Sequence, residues 1–185
     1  MDALEALQSR VSSSRLKGDV GSRALDNMFK AALRAPDHGL LKPWRFLIIK
    51  GEGRNHLGEL FARADLSQNP SLTPQALAKT KAKPLRAPII IVGIACITEH
   101  KSVPEIEQLL SGGAAIENML VAAHAQGVGA MWRTGAMAYN EIVNAGLGLK
   151  DNERILGYLY LGQVDGRRRS LTPLDTEKYF TEWHG

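Results

Sequence analysis

Nine consecutive residues, Ile89-Ile90-Ile91-Val92-Gly93-Ile94-Ala95-Cys96-Ile97, limit what this chain can become. The run carries no charge, and its β-branched side chains favour extended backbone. A strand that is apolar on both sides must be covered on both sides. That requires a central sheet lying between layers of helix.

The flanking sequence supplies those layers. Leu4, Leu7 and Val11 recur at helical spacing behind Asp2, a cap with Glu5 at the reciprocal position. Leu25, Met28, Phe29 and Ala32 mark a second helix, opened by Ser22 as cap, and Leu57, Leu60, Phe61 and Ala64 a third. The longest helix is expected over roughly 103–126, with Ser102 and Glu105 as its capping box. Its main stripe is Ile106, Leu109, Leu110, Gly113, Ile116, Leu120 and Ala123. Ser111, Ala114, Ala115, Asn118, Ala122 and Ala125 form a small-residue face that invites close approach of another helix, either within the fold or from a partner chain. Further strands read at Trp44–Lys50, at Ala130 to Arg133 and at Ile155 to Gly162. Interleaved helices and strands make an α+β domain, and 185 residues suit a single domain over 1–185.

Composition removes several function classes. A hydrophobic content of 44% with 23% charged residues is that of an ordinary globular domain, with no apolar run as long as a membrane span. The acidic start, Met1-Asp2-Ala3-Leu4-Glu5, lacks a basic n-region, which points to a cytoplasmic location. Cys96 is the single cysteine, so neither an intrachain disulfide nor a cysteine-rich metal site can form. The net charge of +4 favours anionic partners, yet no paired Cys/His finger or aromatic RNP-type strand marks a nucleic-acid binder. Gly127-Val128-Gly129 follows a helix rather than a strand, so it is no dinucleotide turn, and there is no P-loop. No triad, carboxylate pair or metal cluster is evident, and no catalytic residue is assigned.

Three stretches carry polar groups that a bare scaffold does not need. The first is Arg10-Val11-Ser12-Ser13-Ser14-Arg15, where guanidinium forks and hydroxyls could hold phosphate oxygens, although such a stretch is more often a helix end with exposed cations. The second runs from Arg34 through Pro36, Asp37, His38, Gly39 and Pro43 to Trp44-Arg45-Phe46; Pro36 should stop the preceding helix near Arg34. The third is Trp132-Arg133-Thr134-Gly135, which reads as a strand end at a glycine turn.

Taken together and in this order, these motifs resemble the FMN-dependent nitroreductase superfamily. Arg34-Ala35-Pro36-Asp37-His38 and the short length are most similar to its minimal YdjA-like branch. The resemblance implies a central mixed sheet flanked by helices, a homodimer, and FMN at the subunit interface. By it, Arg10, Val11 and Ser12 hold the FMN phosphate, with Arg15 or Arg168 as further contacts. Arg34 and His38 meet the flavin across the dimer, and Trp132, Arg133 and Thr134 line its N5 and pyrimidine edge. Ala122, Ala123, His124, Ala125, Gln126 and Gly127 form a candidate NAD(P)H region; by its residue type alone, His124 is a helix-terminal cation or satisfied polar group. The activity implied is ping-pong transfer of hydride from NAD(P)H through FMN to a nitroaromatic, quinone or similar small acceptor. Departures from the family pattern, Val11 among them, leave the number of phosphate contacts open. A dehalogenase, a flavin-destroying oxygenase and a non-catalytic flavin-binding regulator are the alternatives on the same fold.

Overall fold

A computed structural model describes residues 1–167 and 170–185. Its helices are α1 (Ala3–Ser9), α2 (Ser22–Ala32), α3 (Gly53–Gln68), α4 (Pro74–Lys81), α5 (Glu105–Ala125) and α6 (Glu141–Gly146). Its strands are β1 (Leu16–Lys17), β2 (Trp44–Lys50), β3 (Ile89–Cys96), β4 (Gly129–Arg133) and β5 (Glu153–Val164). Among the described residues no helix is long and apolar enough to cross a membrane.

β3 takes the place its sequence demands. It pairs with β2 on one edge and β5 on the other, and all residues from Ile89 to Ala95 are buried. Ile89 and Ile91 join one core with Leu25, Met28 and Ala32 of α2 and Ile116, Met119 and Leu120 of α5. Ile90, Val92 and Ile94 join a second core with Leu57, Leu60 and Phe61 of α3. The period-two alternation of one strand thus feeds two layers of helix.

The expected mixed sheet is a correction. Every strand pairing among the described residues is antiparallel. The same stretch of β5, Tyr158 to Leu161, pairs with both β3 and β4, so β5 lies between them. β3 and β4 run parallel, joined by the α5 crossover, but they never touch as neighbours. Two of the expected caps also differ. α5 begins at Glu105 behind Pro104, with no side-chain cap, and Ser102 instead sits in the turn before it. Ser22 is already helical and Gly21 holds the cap position. Asp2 does cap α1, its Oδ1 accepting from Glu5 N at 2.9 Å.

The faces of α5 also divide differently from the expected stripes. Ala115 of the small-residue face is 0% exposed and belongs to the core with α2, so the helix that approaches there lies within the fold. Ile106 and Leu110, placed on the inward stripe, are 59% and 65% exposed. The helix advances 100° per residue, so a stripe drawn over about five turns drifts across the true core boundary. Leu4 and Leu7 of α1 are exposed too, as are Tyr179, Phe180 and Trp183 of the tail.

At one end of the sheet a buried ion pair fastens three strands. Arg45 of β2 donates from Nε to Glu153 Oε1 at 2.6 Å and from Nη2 to Oε2 at 2.7 Å. Lys150 N and Cys96 Sγ also donate to this carboxylate, at 2.9 and 3.4 Å. The Arg45 hydrogen bond is the main reason Glu153 titrates at about 2, well below the carboxylate range. Burial first, and Glu153 second, push the Cys96 thiol up to about 11, which leaves it a poor nucleophile.

Candidate functional site

The chain leaving α1 is clamped before and after its cationic motif. Ser9 Oγ donates to Glu5 O at 2.6 Å, so its 2.9 Å contact with His124 uses the ring Nε2 as donor. Ser13 N donates to Ala130 O at 2.9 Å, which lays the segment along β4. The result is a cleft of about 520 Å³, walled by Ser12, Ser14 and Arg15 on one side and Asp165 to Arg167 on the other, with Met131 of β4 between them. Arg15 O accepts from Asp165 N at 3.0 Å, holding the two walls together. The Asp165 carboxylate is paired with Lys17 Nζ at 2.7 Å. The cleft therefore offers two guanidinium groups and serine hydroxyls, which is the donor set of an anion site.

The expected site residues do not all reach this cleft. Ser12 and Arg15 line it. Val11 is half-buried beside them. Arg10 turns toward α5, its Nε 3.1 Å from Glu117 Oε1. Arg168 lies outside the described residues.

Arg34 and His38 sit elsewhere. α2 ends at Ala32, as Pro36 requires, and Arg34 is exposed. The loop beyond it is strained, with left-handed backbone at Gly39 (φ 73°), Leu40 (φ 54°) and Lys42 (φ 49°). Two contacts hold it there: Asp37 Oδ2 accepts from Lys42 N at 2.7 Å, and His38 Nδ1 lies 2.5 Å from Glu107 Oε2. Glu107 and Glu117 are both on α5, ten residues or about 15 Å apart along its axis. Within one chain, then, the His38 loop stands about half the length of α5 away from the contact that holds Arg10.

β4 presents its last residues to opposite faces. Trp132 packs into the α2–α5 core and donates from Nε1 to Leu156 O at 3.2 Å. Arg133 faces the other way, its guanidinium 5.6 Å from the centre of the Tyr160 ring. Its Nε is buried with no hydrogen-bond partner among the described residues. Thr134 is exposed at the turn, before Gly135 with φ 77°. In the 122–127 stretch, Ala123 and His124 are buried, and Gln126 ties α5 to α2 through Asn27 at 2.7 Å and Ala24 O at 3.3 Å. Ala125, Gln126 and Gly127 remain exposed.

Sequence reasoning missed Glu107 and Glu117. A carboxylate on an amphipathic helix reads as a solvent-facing charge, and only the fold shows Glu117 meeting the Arg10 guanidinium and Glu107 the His38 imidazole. Their ten-residue separation on one helix, matched to two cationic motifs, was the available signal.

Comparison with known proteins follows from this geometry. Residues 19–163 match the family model described as the Nitroreductase family. The chain is 39% identical over 163 residues to "Putative NAD(P)H nitroreductase YdjA" of Escherichia coli (strain K12), covering 88% of each chain. A nitroreductase-like family protein from Bacillus cereus superposes with a TM-score of 0.84 at 22% identity, covering 100% of this chain and 97% of that one. A nitroreductase with bound FMN from Bacteroides fragilis NCTC 9343 superposes with a TM-score of 0.75 at 20% identity, covering 98% and 99%.

Proposed function

The chain belongs to the nitroreductase family, and from that premise we propose that residues 1–185 form one FMN-dependent NAD(P)H oxidoreductase domain that works as a homodimer. The observation that carries the cofactor assignment is the cleft lined by Ser12, Ser14, Arg15 and Arg167. Its donors suit the phosphate of a flavin mononucleotide, and the chain has no glycine-rich dinucleotide turn to suit FAD. A second feature supports a bound group at the far end of β4. Leaving the Arg133 Nε buried and unpaired is costly, and a ligand acceptor there would remove the cost.

In this reading Ser12 and Arg15 hold the phosphate and Val11 contributes backbone, while Arg10 is turned toward Glu117 of α5. Trp132, Arg133 and Thr134 border the ring. Arg34 and His38 reach it from a second copy of the chain, which accounts for their separation from the cleft within one copy. Ala125, Gln126 and Gly127 are the part of the candidate NAD(P)H region open to a co-substrate. Bound FMN would supply the two-electron chemistry, taking hydride from NAD(P)H and passing it in a second half-reaction to a nitroaromatic, quinone or similar small acceptor. The chain's own contribution is position and charge. A guanidinium at the pyrimidine edge stabilises negative charge there, and the apolar packing of Trp132 keeps the strand end rigid.

Two experiments test the reading. The purified protein should be yellow, and flavin released by denaturation should run as FMN in chromatography; finding only FAD, or no flavin uptake on adding FMN, refutes the cofactor assignment. The dimer is tested at Leu110, which leaves α5 65% exposed beside the His38 loop. Leu110→Glu would place a charge in any helix contact formed there, and light scattering should show a monomer that retains little FMN. A wild-type protein that is monomeric and fully loaded with FMN would contradict the shared site.

A further inference from the structure

We infer that the cavity past the end of β4 is an acceptor subsite, built for an uncharged aromatic ring that carries an O–H or N–H donor for Asn144. The inference rests on the flavin reading above and names the class of acceptor that the site takes.

The cavity measures about 440 Å³, within the roughly 300–1,000 Å³ span of small-molecule sites. Among the described residues it shares no lining residue with the Ser12 and Arg15 cleft. Its place follows from where β4 stops. The chain turns away at Gly135, and Ala138 N donates back to Gly135 O at 3.1 Å. The short turn Ala136–Tyr139 therefore stands beside the part of β5 that lies beyond its pairing with β4. On that part of β5, Leu156 O accepts from Trp132 Nε1 at 3.2 Å. One wall is thus tied to Gly135 and the other to Trp132, so the cavity opens at the strand end that borders the flavin ring.

The lining sets the ligand's chemistry. Leu109 of α5, Ala138, Ile155 and Leu156 supply apolar walls. Tyr139, 77% exposed, offers a ring face on which an aromatic ligand can stack. Arg154 Nε and Glu105 Oε1 lie 4.0 Å apart in the same lining, and their opposite charges offset one another, which favours an uncharged ligand. Asn144 departs from the apolar pattern: its Oδ1 is buried and accepts no hydrogen bond among the described residues. An unpaired buried acceptor costs free energy that a ligand donor would recover. The last torsion of an asparagine side chain is broad, so the amide can turn its oxygen to a ligand in the cavity. A simple quinone or unsubstituted nitroarene brings acceptors only and leaves the cost in place. A nitroarene that also carries a hydroxyl removes it.

Stopped-flow reoxidation tests the subsite. Protein-bound flavin, photoreduced anaerobically, is mixed with para-nitrobenzyl alcohol or with its methyl ether, which lacks the O–H donor. Two electrons and two protons convert either nitro group to nitroso and water. At subsaturating concentration the alcohol should reoxidise the wild type roughly fivefold faster than the ether, the effect of one added hydrogen bond. Asn144→Leu should erase that preference by slowing the alcohol alone, and its melting temperature should not fall, since an unpaired oxygen is removed. Leu109→Trp fills the cavity from a half-buried position and should slow both compounds on the order of tenfold by misplacing them. Bleaching by NAD(P)H should keep its wild-type rate in both variants. Equal rates for alcohol and ether in the wild type, or a preference that survives Asn144→Leu, would overturn the inference. So would unaltered reoxidation in Leu109→Trp, or equal slowing of bleaching and reoxidation, which would mean that the cavity acts only by holding the flavin. A wild type that takes up no flavin would instead remove the flavin reading, and the acceptor role with it.

Discussion

Replacing Glu153 by alanine is expected to destabilise the protein by about 3 kcal/mol, near the lower end for breaking a buried pair. The substitution strips acceptors from both guanidinium donors of Arg45, from Lys150 N and from Cys96 at once. Arg45 keeps 32% of its side chain in water, which softens the loss; Glu153, at 5%, has no such relief. The same carboxylate sets an acid limit. Its folded pKa of about 2 lies below its ordinary 4.5, so its contribution is complete above about pH 4.5. It fades as pH falls through the folded value, with up to about 3 kcal/mol at stake. Denaturant melts of the wild type should steepen their decline below pH 4.5, and those of Glu153→Gln should lack that limb. The double variant Arg45→Met with Glu153→Leu should recover much of the loss, since an apolar pair of similar volume leaves no charge stranded. A Glu153→Ala protein as stable as wild type at pH 7 would show that the pair is ornamental.

Gly157→Ala is expected to cost roughly 3–5 kcal/mol, combining overpacking with backbone strain. Gly157 sits at φ 151°, where an L side chain is rarely found. An added Cβ would fall 2.2 Å from Trp132 Nε1 and 2.8 Å from Arg133 O. Those atoms belong to the end of β4, which the indole bond to Leu156 O holds in place. Room must come from moving either the indole or the strand. A domain of this size should melt at least about 6 °C lower. Tryptophan emission should shift as the indole leaves its packed position, and bound flavin should be lost with it. A melting temperature within 2 °C of wild type, with unchanged emission, would mean that the strand end is not rigid.

Much of the scaffold could be read from side-chain pattern because burial on both faces leaves few options. The β3 run announced itself, and Trp44–Lys50 was legible to the residue. Where two local rules competed, the sequence was ambiguous: Ser102 and Glu105 have capping-box spacing, but Pro104 has the extended backbone of a helix cap and the helix starts after it. Ala115 could serve a helix of the fold or a partner chain, because small size suits both, and it packs against α2. The site was less legible. Ser12 and Arg15 meet in the cleft as their spacing suggests. Arg34 and His38 stand apart from them, since sequence order says nothing about which end of α5 a loop will reach. Glu107 and Glu117 were invisible for the same reason, their meaning lying wholly in which cations fold back onto them.

The two carboxylates on α5 make that helix a ruler. Glu107 marks the position of the His38 loop and Glu117 that of Arg10, at a spacing set by helical rise alone. A ruler of this kind is set by length, whatever side chains the core between its marks requires. One residue inserted between 108 and 116 would shift the far mark by about 1.5 Å and swing it through about 100°. Either Arg10 or His38 would then lose its carboxylate partner. Length variation is therefore expected in the loops that flank α5 and not within this ten-residue span.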